Sequence, residues 1–196
     1  MASSLSERKR KKKHWYTILA PKQFNAVKLG ENQTYSIQNL MGKVLKANLM
    51  ALTNDPKKQS VTLSFKIDKI LSENDCTTTL VNYAINNAHI KRLVRKASNK
   101  LEDSFFVKTK DGITFRIKPL LLTRYKAHRS VLTALRKKTY ELMQAYISGI
   151  DSADIFFQII SHKLQMEMKN ALKKIYPIAV CEIKSFTLVS VQPKSI

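Results

Sequence analysis

Four histidines, two cysteines and fourteen carboxylates are the side chains of this 196-residue chain that could attack, coordinate or shuttle protons. None is spaced for it. His14, His89, His128 and His162 do not pair with each other or with cysteine at metal-ligand spacing, so they read as surface or nucleic-acid-facing residues. Cys76 and Cys181 lie far apart with no Cys-x-x-Cys pair, which suggests buried thiols and neither a disulfide framework nor a zinc site. Gly42-Lys43 lacks the upstream glycine and the following Ser or Thr of a phosphate loop, and four glycines in the whole chain cannot assemble a nucleotide cradle. The acidic residues are few and mostly neighbour lysines, so neither a metal-binding carboxylate cluster nor a glycosidase pair is suggested. The expectation is a protein with no catalytic residue, no metal, no cofactor and no small-molecule substrate.

The chemistry that is present is that of cations. Lys and Arg number 35 against 14 Asp and Glu, a formal charge of +21, and a polyanion is the first partner to consider. Only six of those cations sit in the run Arg8-Lys9-Arg10-Lys11-Lys12-Lys13, so the body beyond it is strongly basic as well. A hydrophobic content of 44% is enough to build a core, which excludes a disordered polycation. No apolar run approaches the ~20 residues needed to cross a bilayer, and residues 1–13 lack the apolar segment of a signal peptide. A soluble, intracellular protein with no membrane partner is expected.

Four basic clusters are candidates for nucleic-acid contact. Arg8, Lys9, Arg10, Lys11, Lys12 and Lys13 lead directly into Trp15 and Tyr16; a cation run beside a stackable ring suits unstacked bases, and the alternative is that Trp15 is a core residue and the arm alone meets phosphate. Lys91, Arg92, Arg95 and Lys96 would line one side of a helix over about two turns, with no acid interrupting them; a solvated helix face is the alternative. Arg124, Lys126, His128 and Arg129 sit in a loop around Tyr125 and, with Arg136, Lys137 and Lys138, form the densest basic region of the body. Lys173 and Lys174 precede Tyr176-Pro177, where cations at a helix end are favourable in any case. Such contacts would position a protein on phosphates without reading bases, and no RNA-recognition aromatic signature, KH-type Gly-x-x-Gly or zinc knuckle is present.

The elements that must carry these clusters follow from periodicity. Residues 1–13 read as a flexible basic arm and 14–196 as one compact domain, mainly β to about residue 122 and mainly helical after it. A strand is expected over 14–19, a turn over 20–25, irregular chain over 26–39 and a strand over 43–52. Val61, Leu63, Phe65 and Ile67 alternate with polar residues, the period of a half-buried strand. Further strands are expected over 76–83 and in a hairpin turning at Asp111-Gly112. Helices are expected over 88–96 and 130–147, the second with an apolar stripe including Val131, Leu135, Leu142 and Tyr146, then one helix or two short ones between 155 and 175. In the last strand the apolar phase slips between Ile183 and Phe186, suggesting a bulge. The fold class is α+β: an antiparallel, barrel-like β body with a basic helix inserted, followed by C-terminal helices and a closing strand.

A run of short segments, in order over residues 13–191, resembles the S-three-a-e family of ribosomal proteins from archaeal and eukaryotic small subunits. They are Lys13-His14-Trp15-Tyr16, Ala20-Pro21-Lys22-Gln23-Phe24-Asn25, Gly42-Lys43-Val44, Leu49-Met50-Ala51-Leu52-Thr53-Asn54-Asp55, Thr109-Lys110-Asp111-Gly112, Arg116-Ile117-Lys118-Pro119 and Lys173-Lys174-Ile175-Tyr176-Pro177. Each segment is short, and their co-linearity carries the resemblance. It implies a structural constituent of the small subunit, seated in the cytoplasmic ribosome on its platform side near the messenger exit. The implied partners are small-subunit rRNA, neighbouring small-subunit ribosomal proteins and messenger RNA near the exit. Where members usually carry Leu-Thr-Arg-Asp before the basic helix, this chain has Ile85-Asn86-Asn87-Ala88, so no contact of that Arg and Asp is carried over. The short lysine-rich head and the lack of a long C-terminal extension resemble archaeal members or those of reduced eukaryotes. A free-standing basic regulator of nucleic acid is the competing reading. Charge dispersed over several elements speaks against it, because a duplex reader concentrates charge on one helix or stripe.

Overall fold

A computed structural model describes residues 12–190; Arg8, Lys9, Arg10 and Lys11 of the expected arm lie outside the described residues. The elements are β1 (His14–Leu19), β2 (Lys28–Thr34), β3 (Val44–Asn48), α1 (Leu49–Thr53), β4 (Val61–Ile70), β5 (Asp75–Ile85), α2 (Asn87–Leu93), β6 (Lys100–Glu102), β7 (Phe105–Lys108), β8 (Thr114–Thr123), α3 (Arg129–Ser148), α4 (Ser152–Ile160), α5 (Lys163–Leu172) and β9 (Ile178–Ser190). The class is α+β with a mixed sheet, its hydrogen-bonded path running β2-β1-β5-β9-β8-β6 while β3 joins β4 and β7 joins β8. The path does not close on itself, so strand pairing does not make the expected barrel, and β1 pairs β5 in parallel where an antiparallel body was expected. The chain forms two compact units, one made of the described residues up to Ala47 with Ser64–Leu80, the other of Asn48–Leu63 with the described residues from Val81 on.

In the first unit Tyr16, Ile18, Leu40, Ile67 and Cys76 pack into a core, and Phe24 stands edge-on to Phe65 with centroids 5.8 Å apart. Burial of Tyr16 and Ile18 puts Trp15 on the opposite side of β1, because strand side chains alternate. The expectation of irregular chain over 26–39 is corrected by β2. Lys28-Leu29-Gly30-Glu31-Asn32-Gln33-Thr34 has almost no apolar alternation, and it is a strand because it pairs antiparallel with β1 from His14↔Thr34 to Leu19↔Lys28. The strand expected over 43–52 stops at Asn48, whose side-chain oxygen accepts a hydrogen bond from the Met50 N–H at 3.0 Å and caps a short helix.

In the second unit β8 pairs with β9 from Thr114↔Ser190 to Thr123↔Ile178. Lys118 faces Ser185 and Pro119 faces Ile183, so β9 carries one extra residue, Lys184, where the apolar phase slipped. The hairpin at Asp111-Gly112 forms as expected, β7 pairing with β8 and Gly112 supplying φ of 75°. Beneath the sheet Phe115, Phe156 and Phe186 pack together, Phe115 stacked on Phe186 at 4.6 Å. The buried stripe of α3 is Leu135, Thr139, Met143 and Ile147. This corrects the expected stripe for Val131, Leu142 and Tyr146, which flank it half-buried. Thr139 fits there because its hydroxyl donates to the Leu135 carbonyl at 2.7 Å.

Two short helices, not one, follow α3. Ser161 and His162 break the run, His162 with φ of 59°, a left-handed conformation that no helix continues. Asp151 occupies the N-cap of α4 without a side-chain bond. The Ser152 N–H donates to Asp111 Oδ2 at 2.9 Å, so the hairpin turn caps the helix from 41 residues away.

Candidate nucleic-acid interface

Thr123 ends β8 completely buried, and its hydroxyl organises the basic segments of the second unit. Thr123 Oγ1 accepts from the Asn99 N–H at 2.8 Å and donates towards the Tyr125 carbonyl at 2.7 Å. The Thr123 N–H donates to the Asn99 carbonyl at 3.0 Å, and Asn99 Oδ1 accepts from the Ala127 N–H at 2.9 Å. These bonds fasten the segment that follows α2, with Arg95 and Lys96, to the loop carrying Arg124, Lys126 and His128. A third segment joins them from the chain between α5 and β9. The Arg124 N–H donates to the Pro177 carbonyl at 3.0 Å and the Tyr176 hydroxyl donates to the Lys126 carbonyl at 3.1 Å, which brings in Lys173 and Lys174.

Three of the four sequence clusters therefore converge, and Arg95, Lys96, Arg124, Lys126, His128, Arg129, Lys173 and Lys174 are all exposed. Arg124 lies over the ring of Tyr125 at 5.9 Å, and that ring is 59% exposed. His128 is the N-cap of α3 and Arg129 its first residue, with no acid in the first turn. Unpaired N–H groups and cations at a helix start favour an anion there.

One expectation about the second cluster is corrected. Helix α2 stops at Leu93, with Val94 as its extended C-cap, so Lys91 and Arg92 lie on the helix but Arg95 and Lys96 do not. Asn86 caps this helix by accepting from the Ala88 N–H at 3.1 Å. The helix-borne cations further along α3 are partly engaged. Arg136 pairs with Asp103 at 3.4 Å and Lys138 with Glu141 at 3.1 Å, while Lys137 is exposed between them.

In the first unit Trp15 is 61% exposed, so the alternative that it belongs to the core is excluded. Lys12 and Lys13 are exposed beside it, and the Lys13 ammonium lies 5.4 Å from the centroid of the exposed Tyr35 ring. The residues that sequence reasoning missed are Asn99 and Thr123, which hold the clusters together. Their only signal was a buried-type polar pair at the ends of two strands, indistinguishable from ordinary turn residues.

In the second unit an open groove of about 390 Å³ is lined by His89, His162, Gln165, Lys169, Cys181 and Glu182, among others. Burial pushes the Glu182 carboxyl up to about 7 and, with Lys58 nearby, lowers His162 from its ordinary value. Their Nδ1···Oε2 separation of 3.6 Å is too long for a hydrogen bond, and both shifts favour the uncharged form of each group. Both cysteines are buried and free, and burial pushes the Cys181 thiol up to about 12. Among the described residues no three His, Cys, Asp or Glu side chains group to hold a metal, and no helix is long and apolar enough to cross a membrane.

The interface is thus a convergent basic surface without catalytic geometry, and comparison with known proteins decides what class of basic protein carries it. The profile of the ribosomal S3Ae family matches residues 4–191. This chain belongs to the ribosomal S3Ae family. It is 35% identical over 182 residues to a protein of Saccharolobus islandicus named small ribosomal subunit protein eS1, covering 92% of this chain and 86% of that one. The same identity and coverage hold for the protein so named from Saccharolobus solfataricus. The one from Sulfolobus acidocaldarius is 33% identical over 188 residues, covering 96% and 95%. As a member of the S3Ae family the chain is a structural component of the small ribosomal subunit and not an enzyme.

Proposed function

We propose that this chain binds and orders small-subunit rRNA through the surface of Arg95, Lys96, Arg124, Lys126, Arg129, Lys173 and Lys174, with Lys91, Arg92, His128 and Arg136–Lys138 extending it. The observation that carries the reading is the set of bonds from Thr123, Asn99 and Tyr176, which gathers three sequence-distant basic segments onto one exposed surface. Backbone fixed in this way places cations at defined positions before binding, so less conformational entropy is lost when phosphates engage them. The basic arm, with Trp15 at its root, adds a second contact. The resemblance to the family supports a seat on the platform side near the messenger exit, with neighbouring ribosomal proteins and messenger RNA as further partners. Charge spread over loop, helix and helix end suits a folded RNA surface better than a duplex groove, which argues against a free-standing duplex-binding regulator.

The test is a sucrose gradient of a lysate from the source organism, before and after a moderately high-salt wash, with this protein followed by mass spectrometry. Cosedimentation at unit stoichiometry with small subunits, resistant to the wash, is expected. A protein that stays at the top of the gradient, or is removed entirely by the wash, would overturn the reading in favour of a dissociable nucleic-acid binder.

A further inference from the structure

The outward face of the sheet in the second unit carries a row of side chains that the basic clusters do not include. In register across four strands stand Phe106 on β7, Arg116 on β8, Thr187 on β9 and Asn82 on β5. Phe105 and Val107 turn the other way, Phe105 meeting Tyr140 of α3 edge-on at 5.1 Å and Val107 being buried. Phe106 is therefore held outward by its neighbours, and it is 58% exposed. The Arg116 guanidinium lies over its ring at 5.7 Å and is also held by an Nε–H bond to Ser104 Oγ at 3.0 Å. Thr187 donates its hydroxyl to Asn82 Oδ1 at 2.8 Å, which orients that carboxamide on the same face.

The outward charged positions nearest the ring are basic. They are Lys108, Arg116 and Lys118, on β7 and β8. The carboxylates at the end of β6 are already engaged, Glu102 between Lys100 and Lys184 and Asp103 with Arg136. A flat exposed ring flanked by a guanidinium, two lysines along the strands and an oriented amide next in the row is the combination that holds an unstacked base and its phosphates. A duplex offers no base face to such a ring, because its bases are stacked.

We propose that this sheet face binds an unpaired RNA segment, one base stacking on Phe106 beside Arg116 and the flanking phosphates meeting Lys108 and Lys118. The inference rests on the RNA-binding reading above and adds to it a second site that prefers single strands. The occupant is RNA because a protein partner would have to bring acidic groups to this face and would gain little from an isolated ring among cations.

The experiment uses the full chain, with a ten-residue single-stranded oligoribonucleotide and a ten-base-pair RNA duplex as probes, and variants Phe106→Ala, Phe106→Trp and Lys173→Ala/Lys174→Ala. The expected result is that F106A weakens single-strand binding about 5- to 150-fold, the range for loss of one base stack. It should leave duplex binding within about twofold, and F106W should retain single-strand affinity. The Lys173/Lys174 variant should weaken both probes. If F106A binds the single strand as the parent does while the lysine variant is weakened, the sheet-face site is overturned and the rRNA reading stands. If the parent binds neither probe, both readings fall. In assembled subunits, a photoreactive side chain placed by Phe106→p-benzoylphenylalanine should crosslink to RNA, and a crosslink to protein alone would overturn the site.

Discussion

The Tyr176 hydroxyl donates to the backbone carbonyl of Lys126 at 3.1 Å, joining two basic segments fifty residues apart. A tyrosine that follows a helix-end lysine pair thus fixes the distance between those lysines and the loop that opens α3. Removing the hydroxyl alone tests whether the surface works as a unit. Tyr176→Phe should leave the melting temperature within a few degrees and weaken binding to a small-subunit rRNA fragment about two- to tenfold, the worth of one such hydrogen bond. Unchanged affinity in Y176F, measured by filter binding, would mean that the two segments act independently.

Thr123→Val should be the more damaging change. Thr123 is wholly buried, and its hydroxyl both accepts from the Asn99 N–H and donates towards Tyr125. Valine leaves that part-buried N–H without its partner, at a cost of about 1–3 kcal/mol, or about 2–4 °C in melting temperature per kcal/mol for a chain of this length. Calorimetry with rRNA titration should show loss of stability and of affinity together.

Lys173→Ala/Lys174→Ala should act through charge alone, since both residues are exposed at the end of α5. Each lost phosphate contact lowers the slope of log affinity against log salt by about 0.9, so the double variant should lose about 2 from the slope while melting as the parent does. A parallel shift of the whole salt curve, with no change of slope, would show that these lysines do not neutralise phosphate.

Glu182 gives a pH signature with a definite sign. Its carboxyl titrates near 4.5 when unfolded and is pushed up to about 7 by burial in the fold. Its contribution to stability is therefore fully present below 4.5 and is lost as pH rises through 7. His162 opposes it: burial lowers its folded value from 6.5, so its contribution is present above 6.5 and is lost as pH falls. Glu182→Gln, neutral at every pH, should raise the melting temperature by a few degrees at pH 8 and change it little at pH 5. An equal offset at both pH values would show that Glu182 titrates as an ordinary exposed carboxyl.

Strong local patterns determined much of this protein from its sequence. The alternation of Val61, Leu63, Phe65 and Ile67, the Asp111-Gly112 turn and the phase slip between Ile183 and Phe186 each correspond to an observed element or bulge. They were legible because each rests on interactions within a few residues. Composition likewise determined a basic, core-forming chain. Tertiary structure decided what depends on partners distant in sequence. The polar stretch Lys28–Thr34 is a strand only because β1 lies beside it, and α4 is capped by Asp111 from a turn 41 residues away. Trp15 faces solvent because Tyr16 and Ile18 claim the core side of β1. The candidate interface belongs to the same class. Charge patterning named its cations, but a cluster in sequence is one-dimensional, and only hydrogen bonds from Thr123, Asn99 and Tyr176 bring residues near 95, 125 and 175 to one surface. The row Phe106–Arg116–Thr187–Asn82 was illegible for the same reason, since strand register joins positions that no local pattern relates.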